Sequence, residues 1–149
     1  MAFKVPILLI AFNRPELVSK VIDSLRIIKP AKIYVACDGP NEKKLNKEKV
    51  RLTREIIISN IDWETKLQKK FSNSNKGCKY AVSSSIDWFF DNEEEGIILE
   101  DDCLPHNDFF YFCESLLNKY KYDERIWSIT GSNFVGKKIG DGSYFFSRY

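Results

Sequence analysis

Residues 5–15 read Val5-Pro6-Ile7-Leu8-Leu9-Ile10-Ala11-Phe12-Asn13-Arg14-Pro15, and the order of residue types in this stretch decides the fold. A strand with one face in water alternates apolar and polar side chains, whereas a strand covered on both faces reads as a continuous apolar run. Val5 to Phe12 is such a run, broken only by Pro6, which is harmless near the first residue of a strand. It ends on Asn13-Arg14, and Pro15 suits the first position of a helix, where no backbone N–H is needed. Leu17, Val18, Val21, Ile22, Leu25 and Ile28 then return at helical spacing as far as Pro30. A doubly buried strand running straight into an amphipathic helix opens an α/β fold.

The alternation continues. Lys32 to Cys37 (KIYVAC) reads as a second strand closed by Asp38-Gly39-Pro40, and a charged helix follows with Val50, Ile56 and Ile57 as candidate core. The stretch from Trp63 to Phe71 is expected to hold a short third strand, and Asn73 to Gly77 forms a loop. Ala81, Val82, Ile86, Phe89 and Phe90 mark the buried face of the next helix, and Gly96 to Leu99 the next strand. A helix after Pro105 carries Phe109, Phe112, Cys113, Leu116 and Tyr120. Asn107-Asp108 are placed to cap it, with His106 facing solvent. Ile126 to Thr130 and Tyr144 to Phe146 read as two last strands. The predicted fold is therefore α/β and Rossmann-like, a mostly parallel sheet flanked by helices, in one domain over residues 1–149.

Composition narrows the classes of function. With 149 residues, 44% hydrophobic and 30% charged, the chain has the makeup of an ordinary globular domain. Twenty-three basic residues against 21 acidic ones, a net charge of +2, are too balanced for a nucleic-acid binder, whose basic residues cluster on one face. Cys37, Cys78, Cys103 and Cys113 include no Cys-x-x-Cys pair, and His106 is the single histidine, which argues against structural zinc. Free thiols in a reducing compartment are expected instead. The first apolar run is too short to span a bilayer and no cleavage site follows it. A cytoplasmic protein is expected, peripheral to the inner face of the membrane if its partner is lipid-linked.

In open parallel sheets, ligands bind beyond the carboxyl ends of the strands. Asn13-Arg14 follow the first strand, Asp38-Gly39-Pro40-Asn41 the second, Asn73 and Asn75 the third, and Glu100-Asp101-Asp102 the fourth. Four polar loops on one rim point to a binding crevice. No Gly-x-Gly-x-x-Gly follows a strand, and no Gly-x-x-x-x-Gly-Lys-Ser/Thr occurs. Without a glycine-rich cradle, a diphosphate can be held by a divalent cation bridging carboxylates and phosphate oxygens, and hard oxygen ligands select Mg²⁺ or Mn²⁺. Adjacent strand residues point to opposite faces, so the three acids cannot all ligate one ion. The plainer alternative is a solvated acidic turn that favours the positive end of the following helix.

These pieces, taken in order, resemble a known family. AFNRP (Ala11–Pro15), VACDGP (Val35–Pro40), NKGCKYA (Asn75–Ala81), IILEDDCLP (Ile97–Pro105) and ITGSNF (Ile129–Phe134) resemble the nucleotide-binding half of glycosyltransferases with the GT-A fold. Within these the chain is most similar to bacterial sugar transferases related to the N-acetylglucosaminyltransferase I type. The resemblance implies transfer of a sugar from a nucleotide-diphosphate sugar to a hydroxyl of a glycan or lipid-linked acceptor, in cell-surface glycan synthesis, with Mn²⁺ or Mg²⁺ as cofactor. It places Asp102 at the last acid of an Asp-x-Asp-type motif, as the metal ligand. It sets Glu100 and Asp101 toward ribose and donor sugar, Asp38 toward base or ribose, and Asn13 and Arg14 near the nucleotide. Asn75 and Lys79 fall in the region closing over it. Plainer readings stand beside these: Arg14 and Lys79 as surface charges, Asp38 as the start of a turn, Asn75 as a loop end.

The resemblance also implies that an acceptor-binding part follows, so this chain is expected to be the donor-binding part without it. No carboxylate base is named, since Asp141, the single acid after Arg125, lies in the turn Gly140-Asp141-Gly142. Trp127, Phe134, Phe145 and Phe146 are then expected to leave an apolar face uncovered, through which the chain self-associates. The alternative from another class is a non-catalytic nucleotide- or sugar-binding module within a larger assembly.

Overall fold

The computed structural model describes residues 2–132, 142 and 144–147. Among the described residues four strands and four helices alternate: β1 (Ile7–Ala11), α1 (Pro15–Ile28), β2 (Lys32–Cys37), α2 (Lys44–Asn60), β3 (Lys66–Phe71), α3 (Cys78–Phe90), β4 (Ile97–Glu100) and α4 (Asn107–Tyr120). The strands form one sheet in the order β3-β2-β1-β4, every neighbouring pair parallel. The fold is thus α/β and Rossmann-like, as the first apolar run predicts. All five residues of β1 are buried, because β1 has a strand on each side and helices over both faces.

Strand parity divides the core. Ile7, Leu9, Ala11, Ile33, Val35, Ile97 and Leu99 face Val18, Val21, Ile22 and Leu25 of α1, Ile57 of α2, and Phe110 and Cys113 of α4. Leu8, Ile10, Tyr34 and Ala36 face α3, packing on Phe89 with Val82, Ile86 and Trp88 around it. Each aliphatic side chain fully withdrawn from water contributes about 1.5–3 kcal/mol, so β1 and α1 carry much of the stability.

Helix boundaries follow local chemistry. Pro15 starts α1, and Lys29 ends it in the left-handed region (φ 46°), its N–H donating to the Leu25 carbonyl at 2.8 Å. The cap of α4 differs from the expectation. His106, not Asn107 or Asp108, is the capping residue, its Nδ1 accepting from the Asp108 N–H. Phe110 rather than Phe109 is the fully buried aromatic of that helix, and Phe90 is exposed.

Two predicted strands do not form. Among the described residues Ile126 to Thr130 pairs with no strand. The Ile126 N–H instead turns back to the Asp123 carbonyl (2.9 Å) and the Trp127 indole N–H to that of Glu124 (3.1 Å), and Trp127 is 93% exposed. Tyr144 to Phe146 is not a strand either, with residue 145 following a bend at Tyr144. Tyr144 and Phe146 pack on the aromatics of α4: Tyr144 lies against Phe112 and Tyr120, and Phe146 lies 5.6 Å from the Tyr120 ring. In both places local bonds and ring contacts prevail over strand propensity. Phe134 and Asp141 lie outside the described residues.

Candidate functional site

The strand order fixes where a ligand can enter. From β1 the chain steps to β2 and β3 on one side and to β4 on the other. The loops leaving β1 and β4 therefore diverge at a switch point, the place where open parallel sheets leave a crevice. Arg14 leaves β1 there and Asp101-Asp102 leave β4, and the structure joins them. The Arg14 Nη1 donates to Asp101 Oδ1 at 3.2 Å and to Asp102 Oδ2 at 2.5 Å.

The two acids differ in environment. Asp101 is buried and accepts a second hydrogen bond, from the Phe12 N–H at 3.0 Å. That amide lies one residue beyond β1, so Asp101 ties the end of β4 to the end of β1. Burial pushes its carboxyl above the ordinary carboxylate value, more than the Phe12 N–H and Arg14 pull it down. Asp102 is half exposed. Its hydrogen bond holds the Arg14 guanidinium, already charged at any ordinary pH, still more firmly protonated. Glu100 is the last residue of β4, paired in register with Ile10 and exposed. Strand parity sends Glu100 to the α3 side and Asp101 to the opposite one. Asn13 lies half-buried in the bend between β1 and α1.

The neighbouring rim, beyond β2 and β3, is a second polar cluster. Asp38 is buried at the end of β2. Its carboxylate accepts from the Asn75 Nδ2 (3.0 Å), from the Lys76 N–H (3.0 Å), and from the Gly39 N–H (2.8 Å). Gly39 is required for this approach, since a Cβ there would lie 2.3 Å from the Ser74 backbone carbon. Gly77, the residue that precedes α3 as its N-cap, has φ 79°, a region that favours glycine. The sequence reading set Asp38 and Asn75 in separate roles; the structure joins them, and their visible task is to seat a loop. Lys79 joins neither cluster: it is exposed on the first turn of α3, 6.0 Å from the Tyr80 ring centroid.

Two residues were missed. Arg54 of α2 reaches over the Phe71 ring (5.0 Å) and donates from Nη2 to the carbonyls of Ser72 (2.6 Å) and Asp38 (3.1 Å). Val50, Thr53 and Ile57 are buried, and Arg54 stands beside that stripe. Its adjacency to the buried stripe was the signal. Cys37 lies between the two clusters, its thiol near the Phe12 carbonyl at 3.6 Å. Burial raises that thiol, and Asp101 and Asp38 add to the effect while Arg54 opposes it.

Among the described residues no three His, Cys, Asp or Glu side chains are grouped to hold a metal ion. The donor chemistry fits a narrower role. Both oxygens of Asp101 are engaged by protein donors, whereas among the described residues Asp102 Oδ1 has only the Cys103 thiol as a partner, at 3.9 Å. One exposed carboxylate suits a hard cation whose other ligands are water and phosphate oxygens. Two concave regions lie elsewhere. One is an open cavity of about 560 Å³ on the outside of α3, lined by Lys76, Tyr80, Ser83, Ser84 and Asp87. The other is a groove of about 460 Å³ beside β4 with a mixed lining that includes Glu94, Ile98, Phe109, Lys121 and Trp127. Neither has the cation–carboxylate pairing of the rim. No family model, curated protein or solved structure matches the chain.

Proposed function

We propose that the chain is the donor-binding part of a glycosyltransferase, holding a nucleotide-diphosphate sugar at the β1–β4 switch point together with Mn²⁺ or Mg²⁺. The observation that carries this reading is the meeting of Arg14 with Asp101 and Asp102 across the two strands that flank the switch point. A guanidinium suits phosphate oxygens, having several donors in a fixed fork. An exposed carboxylate beside it can share a divalent cation with those oxygens. Such a cation would act as a Lewis acid on the departing diphosphate. This chain's own residues would supply the rest: Asp101 fixes the two loops together, Arg14 meets the diphosphate, and the Asp38–Asn75 cluster shapes the wall on the nucleoside side.

Support from sequence comes from IILEDDCLP and AFNRP, which resemble the corresponding stretches of GT-A-fold transferases and which the fold brings side by side. The sugar acceptor, as glycan or lipid-linked molecule, belongs to the same proposal, as does synthesis of a cell-surface glycan. No helix among the described residues is long and apolar enough to cross a membrane.

Thermal unfolding with a panel of nucleoside diphosphates, each with and without Mn²⁺, tests the reading. A ligand at about a hundred times its dissociation constant adds about 2.7 kcal/mol of stability, which for a domain of this size raises the midpoint by roughly 5–10 °C. One diphosphate is expected to stabilise the chain more with metal than without, and Asp102→Asn is expected to abolish the metal-dependent part. If no diphosphate acts under either condition, the donor-binding reading is wrong.

A further inference from the structure

We propose, on the basis of the donor-binding reading above, that Arg14 is an internal counter-ion that makes cation binding at Asp102 conditional on a diphosphate. The carboxylate offered to a metal is already occupied by a cation of the protein itself, since Arg14 Nη1 sits on Asp102 Oδ2. The partners differ in freedom. Asp101 has a side chain only 8% exposed and a second anchor at the Phe12 N–H, so it stays in place. Arg14 and Asp102 are 49% and 47% exposed, so their contact can open without unpacking the core. The start of α1 does not depend on this contact, because Arg14 serves that helix through its backbone carbonyl, which accepts from Leu17 and Val18.

Charge gives the coupling its sign. Two carboxylates around one guanidinium leave a single net negative charge. A divalent cation approaching alone must displace, or lie against, the Arg14 charge. A diphosphate approaching alone meets the uncompensated carboxylate. Each ligand removes the obstacle to the other. Among the described residues only Nη1 of Arg14 is engaged, so Nε and Nη2 are available to phosphate oxygens. Drawing the guanidinium toward them releases Asp102 Oδ2 for the metal. Such coupling is reciprocal: the factor by which diphosphate raises metal affinity equals the factor by which metal raises diphosphate affinity.

Two measurements on the whole chain read this directly. Mn²⁺ alone, with no phosphate present, is titrated into the wild type, Arg14→Gln, Arg14→Lys and the double variant Arg14→Gln/Asp102→Asn, with bound metal followed by water-proton relaxation. Arg14→Gln is expected to bind Mn²⁺ at least ten-fold more tightly than the wild type. Arg14→Lys should stay near the wild type, and the double variant should lose the gain. In metal-free buffer with chelator, inorganic pyrophosphate is expected to bind Asp102→Asn several-fold more tightly than the wild type, a comparison that does not rely on Arg14→Gln folding. If Arg14→Gln binds Mn²⁺ no more tightly than the wild type, or Asp102→Asn binds pyrophosphate no more tightly, the counter-ion role is overturned. The donor-binding reading then survives if the wild type is still stabilised by a diphosphate with metal. A wild type stabilised by no diphosphate overturns that reading, and with it the diphosphate half of this proposal.

Discussion

Asp101 and Asp102 are neighbours with opposite circumstances, and the difference is one of geometry rather than residue type. The first is buried and bonded to the Phe12 N–H; the second is half exposed and shares Arg14. In the sequence they are two identical letters. Parity shows that adjacent acids diverge, yet it does not say which one turns inward, because that depends on where the loop from β1 delivers its amide. Asp38 is the reverse case. Its turn with Gly39-Pro40 is legible, while its grip on Asn75 and Lys76 spans 37 and 38 residues and has no local signature. Gly39 tests that grip. Replacing it with alanine sets a Cβ 2.3 Å from the Ser74 backbone, and forcing extra volume into such a contact costs about 1–3 kcal/mol. The thermal midpoint of Gly39→Ala should fall by about 2–12 °C at roughly 2–4 °C per kcal/mol. A midpoint equal to that of the wild type would show that the Asn75 loop is not seated as described.

At the scale of elements, legibility tracked how much each segment decides for itself. β1, α1 and β2 were readable to within a residue or two, because unbroken apolar runs and strong helical periodicity leave little choice. The segment from Ile126 to Thr130 was misread. Its residues favour strand, but a strand needs a partner, and the Asp123–Trp127 turn directs the chain elsewhere. The two sheet edges contrast. β3 carries Lys66, Lys69 and Lys70, charges of the kind that discourage a further strand, whereas β4 sets Ile97 and Ile98 beside the groove. β2 is tied to its neighbours by a polar network at Tyr34. The Tyr34 hydroxyl donates to Glu93 (2.6 Å) and accepts from Gln68 (3.0 Å), while Lys32 also bonds Glu93. Burial first, and then the hydrogen bond and charge of Glu93, push Tyr34 up from 10.0 to about 12. A folded state that keeps this proton while the unfolded chain loses it is undiminished below pH 10 and loses stability as pH rises from 10 to about 12. The loss is on the order of 1–3 kcal/mol at about 1.4 kcal/mol per unit. Denaturant melts across that window should show a steeper decline in the wild type than in Tyr34→Phe. Parallel slopes for the two would remove Tyr34 from the account.

For the molecule as a whole, the strand order gathers scattered polar residues at one rim of the sheet. Asn13, Arg14, Asp101 and Asp102 are separated by nearly ninety positions at the widest, and only the crossover that sets β4 beside β1 brings them together. Sequence periodicity predicted a parallel sheet, and the rule that ligands sit at carboxyl ends predicted the rim. Neither specifies the order β3-β2-β1-β4, so the Arg14–acid contact was beyond reach until the sheet was assembled. Of the aromatics through which the sequence reading expects self-association, Trp127 is almost fully exposed and Phe145 and Phe146 are partly so.

Amide chemical-shift mapping shows where a nucleoside diphosphate sits on the chain. A ¹⁵N-labelled chain would be titrated with a stabilising nucleoside diphosphate in the presence of Mg²⁺, which leaves the spectrum free of paramagnetic broadening. The largest shifts are predicted at Phe12, Asn13, Arg14, Asp102 and Cys103, the amides at the ends of β1 and β4. Shifts confined instead to Tyr80, Ser83, Ser84 and Asp87 would place the ligand in the cavity outside α3 and rule out the β1–β4 switch point as its seat.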